Sequence, residues 1–269
     1  MYKRILVPLD GSRFSEQILP YVGWLGRKTG VEVALLRVVD KDDERPQAQQ
    51  ALEALAGAIP ATSICTVDGG DVTRAILGEA ARVPGTLVAI SSHGRSGLKR
   101  AILGSTALNV LRTGREPIFV FRPQQADASP GPVAIERIVV PLDGSALSES
   151  ILPLAGELAR WIGARVVVAS VLDPAAREAE PGVAVSDVVE SGYVHSHASQ
   201  LSARYGIGVG WEVLHGDPKE AIPTFVRGLP NTMLAMTTHG RSALQSAIVG
   251  SVTAASLRDS GVPVFTRLP

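Results

Sequence analysis

Residues 91–106 read SSHGRSGLKRAILGST, and residues 237–252 read TTHGRSALQSAIVGSV. Each copy follows a short apolar run, LVAI at 87–90 or MLAM at 233–236, that reads as a buried strand. Each then passes a glycine turn and ends in Gly-Ser at the start of another apolar-periodic segment. A strand that opens through a glycine-containing loop onto a helix N-terminus can hold an anion with backbone N–H groups and the helix dipole. In such a loop Gly94 and Gly104 matter, because a side chain there could block close approach of the backbone. The stretch therefore reads as a phosphate cradle, written twice.

The repeat extends outward from the loop. KRILVPLDGS at 3–12 matches ERIVVPLDGS at 136–145, both read as a buried first strand ending in a loop. One helix is expected after each, because Phe14, Ile18, Val22 and Leu25 recur at helical spacing, as do Leu147, Ile151, Leu158 and Ile162. Pro20 and Pro153 stand at the same place in the two copies and should kink those helices or limit their length. Gly30 and Gly163 are well placed as C-caps. A second strand, rich in β-branched residues, follows at 31–40 and 164–173.

The copies then diverge. Residues 41–58 have a brief helical pattern, whereas 174–205 form a longer segment that includes SGYVHSHASQ, so the second copy carries a net insertion. Alignment resumes at GGD (69–71) and HGD (215–217), where Asp71 and Asp217 are placed to cap the next helix. The fourth strand, the glycine loop, a further helix and a last strand (PIFVF at 117–121, PVFT at 263–266) complete each copy. Strands alternating with helices imply an α/β fold: two tandem doubly wound domains, each with a five-stranded mainly parallel sheet flanked by helices. The boundaries read as 1–123 and 135–269, with the Pro-, Ala- and Gln-rich stretch 124–134 as linker.

Composition narrows the function. With 26 Lys+Arg against 26 Asp+Glu, no global field recruits nucleic acid or an anionic membrane, so any anion site is local. No apolar run approaches the length of a membrane span, and the start MYKRILVPLDGS is unlike a signal peptide. The single cysteine, Cys65, forms no intrachain disulfide and lies in a strand-like run that should bury it. A cytoplasmic protein is expected.

In open α/β sheets ligands bind beyond the carboxyl ends of the strands. Three stretches end there in the first copy: Pro8-Leu9-Asp10, Val38-Val39-Asp40 and the glycine loop. The second copy offers Pro141-Leu142-Asp143, Val171-Leu172-Asp173 and Thr237 onward. An apolar wall with a buried acceptor suits a purine, while glycine N–H groups and Ser105 or Ser251 suit phosphates. Asp10 and Asp143 have a second possible role, capping the following helix through Gly-Ser.

Other motifs carry less. His93 and His239 sit in the loop without a partner nucleophile, which favours backbone positioning or a phosphate contact over catalysis. His195 and His197, two apart, diverge if their segment is helical and then belong to a solvated surface. GWLGRKT at 23–29 lacks P-loop spacing, and GIGVG at 206–210 precedes a strand instead of following one.

The pairing of ILVPLDGS with HGRSGLKRAILGST resembles the universal stress proteins, and the duplication makes the chain similar to their tandem members. In nucleotide-binding members of that family the loop reads Gly, two residues, Gly, nine residues, Gly, then Ser or Thr. Gly94, nine residues, Gly104 and Ser105 match, as do Gly240, nine residues, Gly250 and Ser251. The first glycine is replaced by Ser91 and Thr237, whose hydroxyls could bond a sugar oxygen.

The resemblance implies binding of ATP or a related adenine nucleotide, with Mg or Mn as an accompanying ion. Asp10 and Asp143, with Pro8, Leu9, Pro141 and Leu142, would face the adenine, and Val38 and Val171 would pack near it. Ser91, His93, Gly94, Arg95, Gly104, Ser105 and Thr106 would hold the sugar and phosphates in one copy, and Thr237, His239, Gly240, Arg241, Gly250, Ser251 and Val252 in the other. The family's domains often pair through the last strand, which implies intrachain pairing or a homodimer. Arg95, Lys99 and Arg100 surround the first loop, whereas the second keeps Arg241 but has Gln245 and Ser246, so tighter triphosphate binding is expected in the first half. The implied action is regulatory. A nucleotide-independent scaffold and a slow ATPase are the alternatives, the latter without a visible general base or metal-carboxylate cluster.

Overall fold

The computed structural model describes residues 1–68, 70–92, 103–114, 116–123, 133–173, 187–239 and 249–268. The chain divides into two compact units, Met1–Ala134 and Ile135–Pro269.

Unit 1 contains strands β1 (Arg4–Pro8), β2 (Glu32–Val39), β3 (Thr62–Val67), β4 (Thr86–Ser91) and β5 (Ile118–Phe121). Its helices are α1 (Arg13–Glu16), α2 (Leu19–Thr29), α3 (Arg45–Ala58), α4 (Val72–Arg82) and α5 (Ser105–Gly114). Unit 2 contains β6 (Arg137–Leu142), β7 (Arg165–Leu172), β8 (Val209–His215), β9 (Thr232–Thr237) and β10 (Val264–Arg267). Its helices are α6 (Ala146–Glu149), α7 (Leu152–Ile162), α8 (Asp187–Tyr205), α9 (Pro218–Arg227) and α10 (Ser251–Asp259).

The strand order is β3-β2-β1-β4-β5 in unit 1 and β8-β7-β6-β9-β10 in unit 2. Every one of these neighbouring pairs is parallel. β4 and β9 are buried at every position, as strands covered on both faces must be. From β1 the chain winds outward to β2 and β3, then returns to the other side of β1 for β4. The switch point therefore lies between β1 and β4, and between β6 and β9 in unit 2. A doubly wound sheet opens its crevice there.

One expectation is corrected. The apolar run after each first strand forms two helices, α1 with α2 and α6 with α7, instead of one kinked helix. Pro20 and Pro153 occupy the first turn of the second helix of each pair, where a missing N–H costs no hydrogen bond. Gly30 and Gly163 close those helices with φ of 73° and 70°. The segment expected to be only briefly helical forms α3 over 14 residues. Asp71 and Asp217 cap α4 and α9, accepting from Arg74 N at 2.8 Å and Lys219 N at 2.9 Å.

His195 and His197 lie on α8 and do not converge. The ring of His195 meets Trp211 edge-on, while His197 lies half-buried beside Tyr193. His197 Nε2 is 3.4 Å from Glu149 Oε1, so its surroundings are more enclosed than a freely solvated face. Cys65 is 6% exposed on β3, and burial raises its thiol pKa against the lowering influence of Arg45 and Arg37.

Candidate functional site

The site of unit 1 begins with two strand ends. β1 delivers Pro8, Leu9 and Asp10; β4, its neighbour at the switch point, delivers Ser91 and Ser92. Beyond Asp10 the chain must reverse into α1, and Gly11 does so with φ 77°, a conformation costly for a side chain-bearing residue. Asp10 Oδ1 accepts from Ser12 N at 2.9 Å and from Ser12 Oγ at 2.6 Å, and Ser12 Oγ accepts from Ser15 N at 3.2 Å. Ser12 is thus the N-cap, and Asp10 holds the cap in place. Unit 2 repeats this device: Gly144 has φ 78°, Asp143 Oδ1 accepts from Ser145 N and Oγ at 3.1 and 2.6 Å, and Ser145 Oγ accepts from Ser148 N at 3.2 Å.

The other wall is the start of α5. Gly104 N donates to Ser92 O at 2.7 Å, clasping the helix to the end of β4, while Ser92 N donates to Phe121 O at 2.9 Å. A Cβ on Gly104 would lie 2.9 Å from Ser92 O, so only glycine fits the clasp without displacement. Leu108 N bonds Gly104 O at 3.0 Å, so the helix ladder starts at Gly104. The amides of Ser105, Thr106 and Ala107 precede the first position that can have an intrahelical acceptor.

Between these walls lies a cavity of about 390 Å³. Pro8, Leu9, Asp10, Val38, Ser91, Gly104, Ser105 and Thr106 all line it, so the described members of the first copy's predicted set come together. Its floor is apolar, from Leu36, Val38, Ile76 and Ile90, while Asp10 and Asp40 supply carboxylates and α5 supplies amides. Such a space can take a flat apolar body at one side and an anion at the other. His93, Gly94, Arg95, Lys99 and Arg100 lie outside the described residues, as do Gly240, Arg241, Gln245 and Ser246.

In unit 2, Pro141 and Leu142 are buried, Val171 is half-buried and Asp143 is exposed at the ends of β6 and β7. Gly250 N donates to Thr238 O at 2.7 Å, and a Cβ there would meet that oxygen at 3.0 Å. Ser251 and Val252 begin α10. His239 stands half-buried at the end of β9, its Nδ1 2.9 Å from Thr238 Oγ1. Among the described residues, no group of three or more His, Cys, Asp or Glu side chains is placed to hold a metal ion.

The hydroxyls in the first-glycine position are already engaged. Ser91 Oγ donates to Phe14 O at 3.1 Å, and Thr237 Oγ1 donates to His239 O at 2.6 Å. Each of these hydroxyl protons is therefore spent on a carbonyl within the protein.

Sequence reasoning missed two features. Ser92 and Thr238, almost fully buried, supply the carbonyls that clasp the following helices. Arg37 also borders the cavity of unit 1: its Nη1 donates to Leu9 O at 3.2 Å, and its guanidinium lies over Gly11, within 2.7 Å of where a Cβ would stand. The register-equivalent residue of unit 2 is Ser170, 1% exposed, whose Oγ has no hydrogen-bond partner among the described residues. Aligning the two β-strands would have exposed this Arg-to-Ser difference.

At the carboxyl edge of unit 2, α8 adds a further cluster. Tyr193 Oη donates to Glu149 Oε1 at 2.9 Å, and burial, that hydrogen bond and the nearby carboxylates of Glu149, Asp143 and Glu190 hold the phenol pKa well above its ordinary value.

Comparison with known proteins agrees with this architecture. A universal stress protein from Archaeoglobus fulgidus DSM 4304 superposes with a TM-score of 0.73 at 22% identity, over 100% of this chain and 99% of that one. A protein of unknown function from Pseudomonas aeruginosa PAO1 superposes with a TM-score of 0.65 at 18% identity, over 100% and 93%. Universal stress protein Slr1230 of Synechocystis is 24% identical across 98% of this chain and 99% of its own length. The Universal stress protein family model matches twice, over residues 1–122 and 134–266. The chain belongs to the universal stress protein family and carries two of its domains in tandem.

Proposed function

We propose that this protein is a cytoplasmic, nucleotide-dependent regulator whose cleft between β1 and α5 binds ATP or a related adenine nucleotide. The observation that carries the reading is the convergence of Asp10, Val38, Gly104 and Ser105 on one cavity of about 390 Å³. The apolar floor of Leu36, Val38 and Ile90 takes the purine, and the amides at the start of α5 take phosphate oxygens, where the helix dipole favours negative charge. A divalent ion, Mg or Mn, accompanies the phosphates. In this reading nucleotide acts by binding one conformational state better than another. The equivalent parts of unit 2, Asp143, Val171, Gly250 and Ser251, form a second site with weaker hold on a triphosphate.

Ser105→Glu and Ser251→Glu test the reading. Both positions are exposed in the first turn of a helix, where a carboxylate favours the fold. The same carboxylate repels a phosphate, so Ser105→Glu should weaken Mg·ATP binding in calorimetry by about tenfold or more while the melting temperature holds or rises. Ser251→Glu should remove only the weaker phase. Unchanged affinity in Ser105→Glu, or no binding of millimolar nucleotide to the parent, overturns the reading and leaves the tandem scaffold.

A further inference from the structure

At the opposite ends of the strands the two units treat one arginine differently. In unit 1, Arg4 of β1 is buried with Glu79 of α4: their side chains are 5% and 8% exposed and Nη1 stands 2.9 Å from Oε1. Arg82 Nη1 reaches the second oxygen of Glu79 at 2.9 Å, and the cross-strand partner of Arg4 in β2 is Glu32. Two arginines thus share one carboxylate there, while the Glu32 carboxylate accepts from Thr62 Oγ1 at 3.0 Å.

The equivalents in unit 2 are Arg137 for Arg4, Arg165 for Glu32, and Phe225 for Glu79, which stands at the same separation from its helix-capping aspartate. Gly228 replaces Arg82. Arg137 keeps the bond to the strand threonine, Nη1 donating to Thr232 Oγ1 at 3.1 Å and to Pro230 O at 3.2 Å, but has lost its carboxylate. Arg137 and Arg165 are register partners in a parallel pair, which puts two guanidinium-bearing side chains on one face. Like charges so placed repel. Among the described residues neither has an ion-pair partner.

These arginines line a cavity of about 330 Å³ bounded by Val167, Phe225 and Leu229, and by Gly210 of β8, where an added Cβ would meet nothing within 4 Å. The lining includes one carboxylate, Glu212, whose register partner is Ala169. At strand spacing it stands about 13 Å along the sheet from the level of Arg165. It disfavours a second negative charge on any ligand at that end of the groove.

We propose that this groove of unit 2 is a binding site for a small monocarboxylate with a flat apolar body. The ligand carboxylate takes the place that the Glu79 carboxylate holds against Arg4 in unit 1, between Arg137 and Arg165. Its apolar part lies against Phe225 and Leu229. Arginine forks match a carboxylate bidentately, and its charge relieves the repulsion between them. The groove stands at the amino ends of β6 and β7, away from the carboxyl edge of unit 2 where Asp143 and Gly250 lie.

Benzoate is the probe, titrated into the full chain and followed by calorimetry and by protein amide shifts, with acetate and inorganic phosphate as comparators. Benzoate should bind more tightly than either. Phe225→Glu, which rebuilds the internal ion pair of unit 1, and Arg165→Glu, an exposed substitution that restores the residue type of unit 1, should each weaken benzoate by about tenfold or more, the worth of one charge-assisted hydrogen bond. Amide shifts in the parent should map to β6, β7 and α9. Absence of benzoate binding, equal binding by the Arg165→Glu chain, or a preference for phosphate or acetate would each overturn the proposal.

Discussion

Replacing Gly104 by alanine tests the clasp on which the cleft is built. The new Cβ would stand 2.9 Å from Ser92 O, a backbone atom that accepts from Gly104 N at 2.7 Å. That carbonyl has little room to yield, because the amide of the same residue is tied to Phe121 O at 2.9 Å. No flexible side chain can absorb the overlap, so the start of α5 must move away and the clasp must lengthen. Forcing one methyl group into such a contact costs about 1–3 kcal/mol. Losing part of a buried hydrogen bond adds about 1 kcal/mol. Gly104→Ala should therefore lower the urea midpoint of its unit at unchanged m-value and weaken Mg·ATP binding. Gly250→Ala, with its contact at 3.0 Å, should cost less. Gly78→Ala is the control: an added Cβ in α4 meets nothing within 4 Å, so it should stabilise by about 0.5–1 kcal/mol. Wild-type stability and affinity in Gly104→Ala would refute the reasoning, since the two predicted losses share one displacement.

Three further outcomes follow from other contacts. Glu79→Ala strands Arg4 with its side chain 5% exposed, and should cost about 3–5 kcal/mol, whereas Arg4→Met with Glu79→Leu should come close to neutral; equal denaturation midpoints for the single and the parent would contradict this. Gly156→Ala would set a Cβ 2.5 Å from the Tyr205 ring and should destabilise, whereas Tyr205→Phe, which deletes a buried hydroxyl without a partner among the described residues, should hold or raise the melting temperature. Tyr193 holds its proton more tightly folded than unfolded, so stability should fall as pH rises through the ordinary tyrosine range and be independent of this group below it. Because the ring is partly solvated the slope should stay below about 1 kcal/mol per pH unit, and it should vanish in Tyr193→Phe when urea midpoints are compared from about pH 9 to about pH 11.

The repeat, the alternation of strands with helical segments, the helix-capping aspartates and the candidate cleft were legible in the amino-acid sequence. They rest on local chemistry. A run such as LVAI is apolar on both sides because the strand is covered on both faces, and Asp-Gly-Ser turns where it does because glycine accepts φ 77° at little cost. The duplication made each such signal visible twice, at Asp10 with Asp143 and at Gly104 with Gly250. Only the tertiary structure decided what depends on a neighbour remote in sequence. Ser12 became the cap and Asp10 its support through an atom-by-atom choice among short polar side chains. The protons of Ser91 and Thr237 went to carbonyls that the chain brings close, one of them distant in sequence. Pro20 and Pro153 began a helix instead of bending one, each standing in a first turn where a missing N–H costs no hydrogen bond. The exchange of Glu79 for Phe225 opposite Arg4 and Arg137 became readable once strand register and helix placement set those residues side by side. Periodicity specifies which face of an element is apolar; the partner that face meets depends on contacts between elements, which no local pattern encodes.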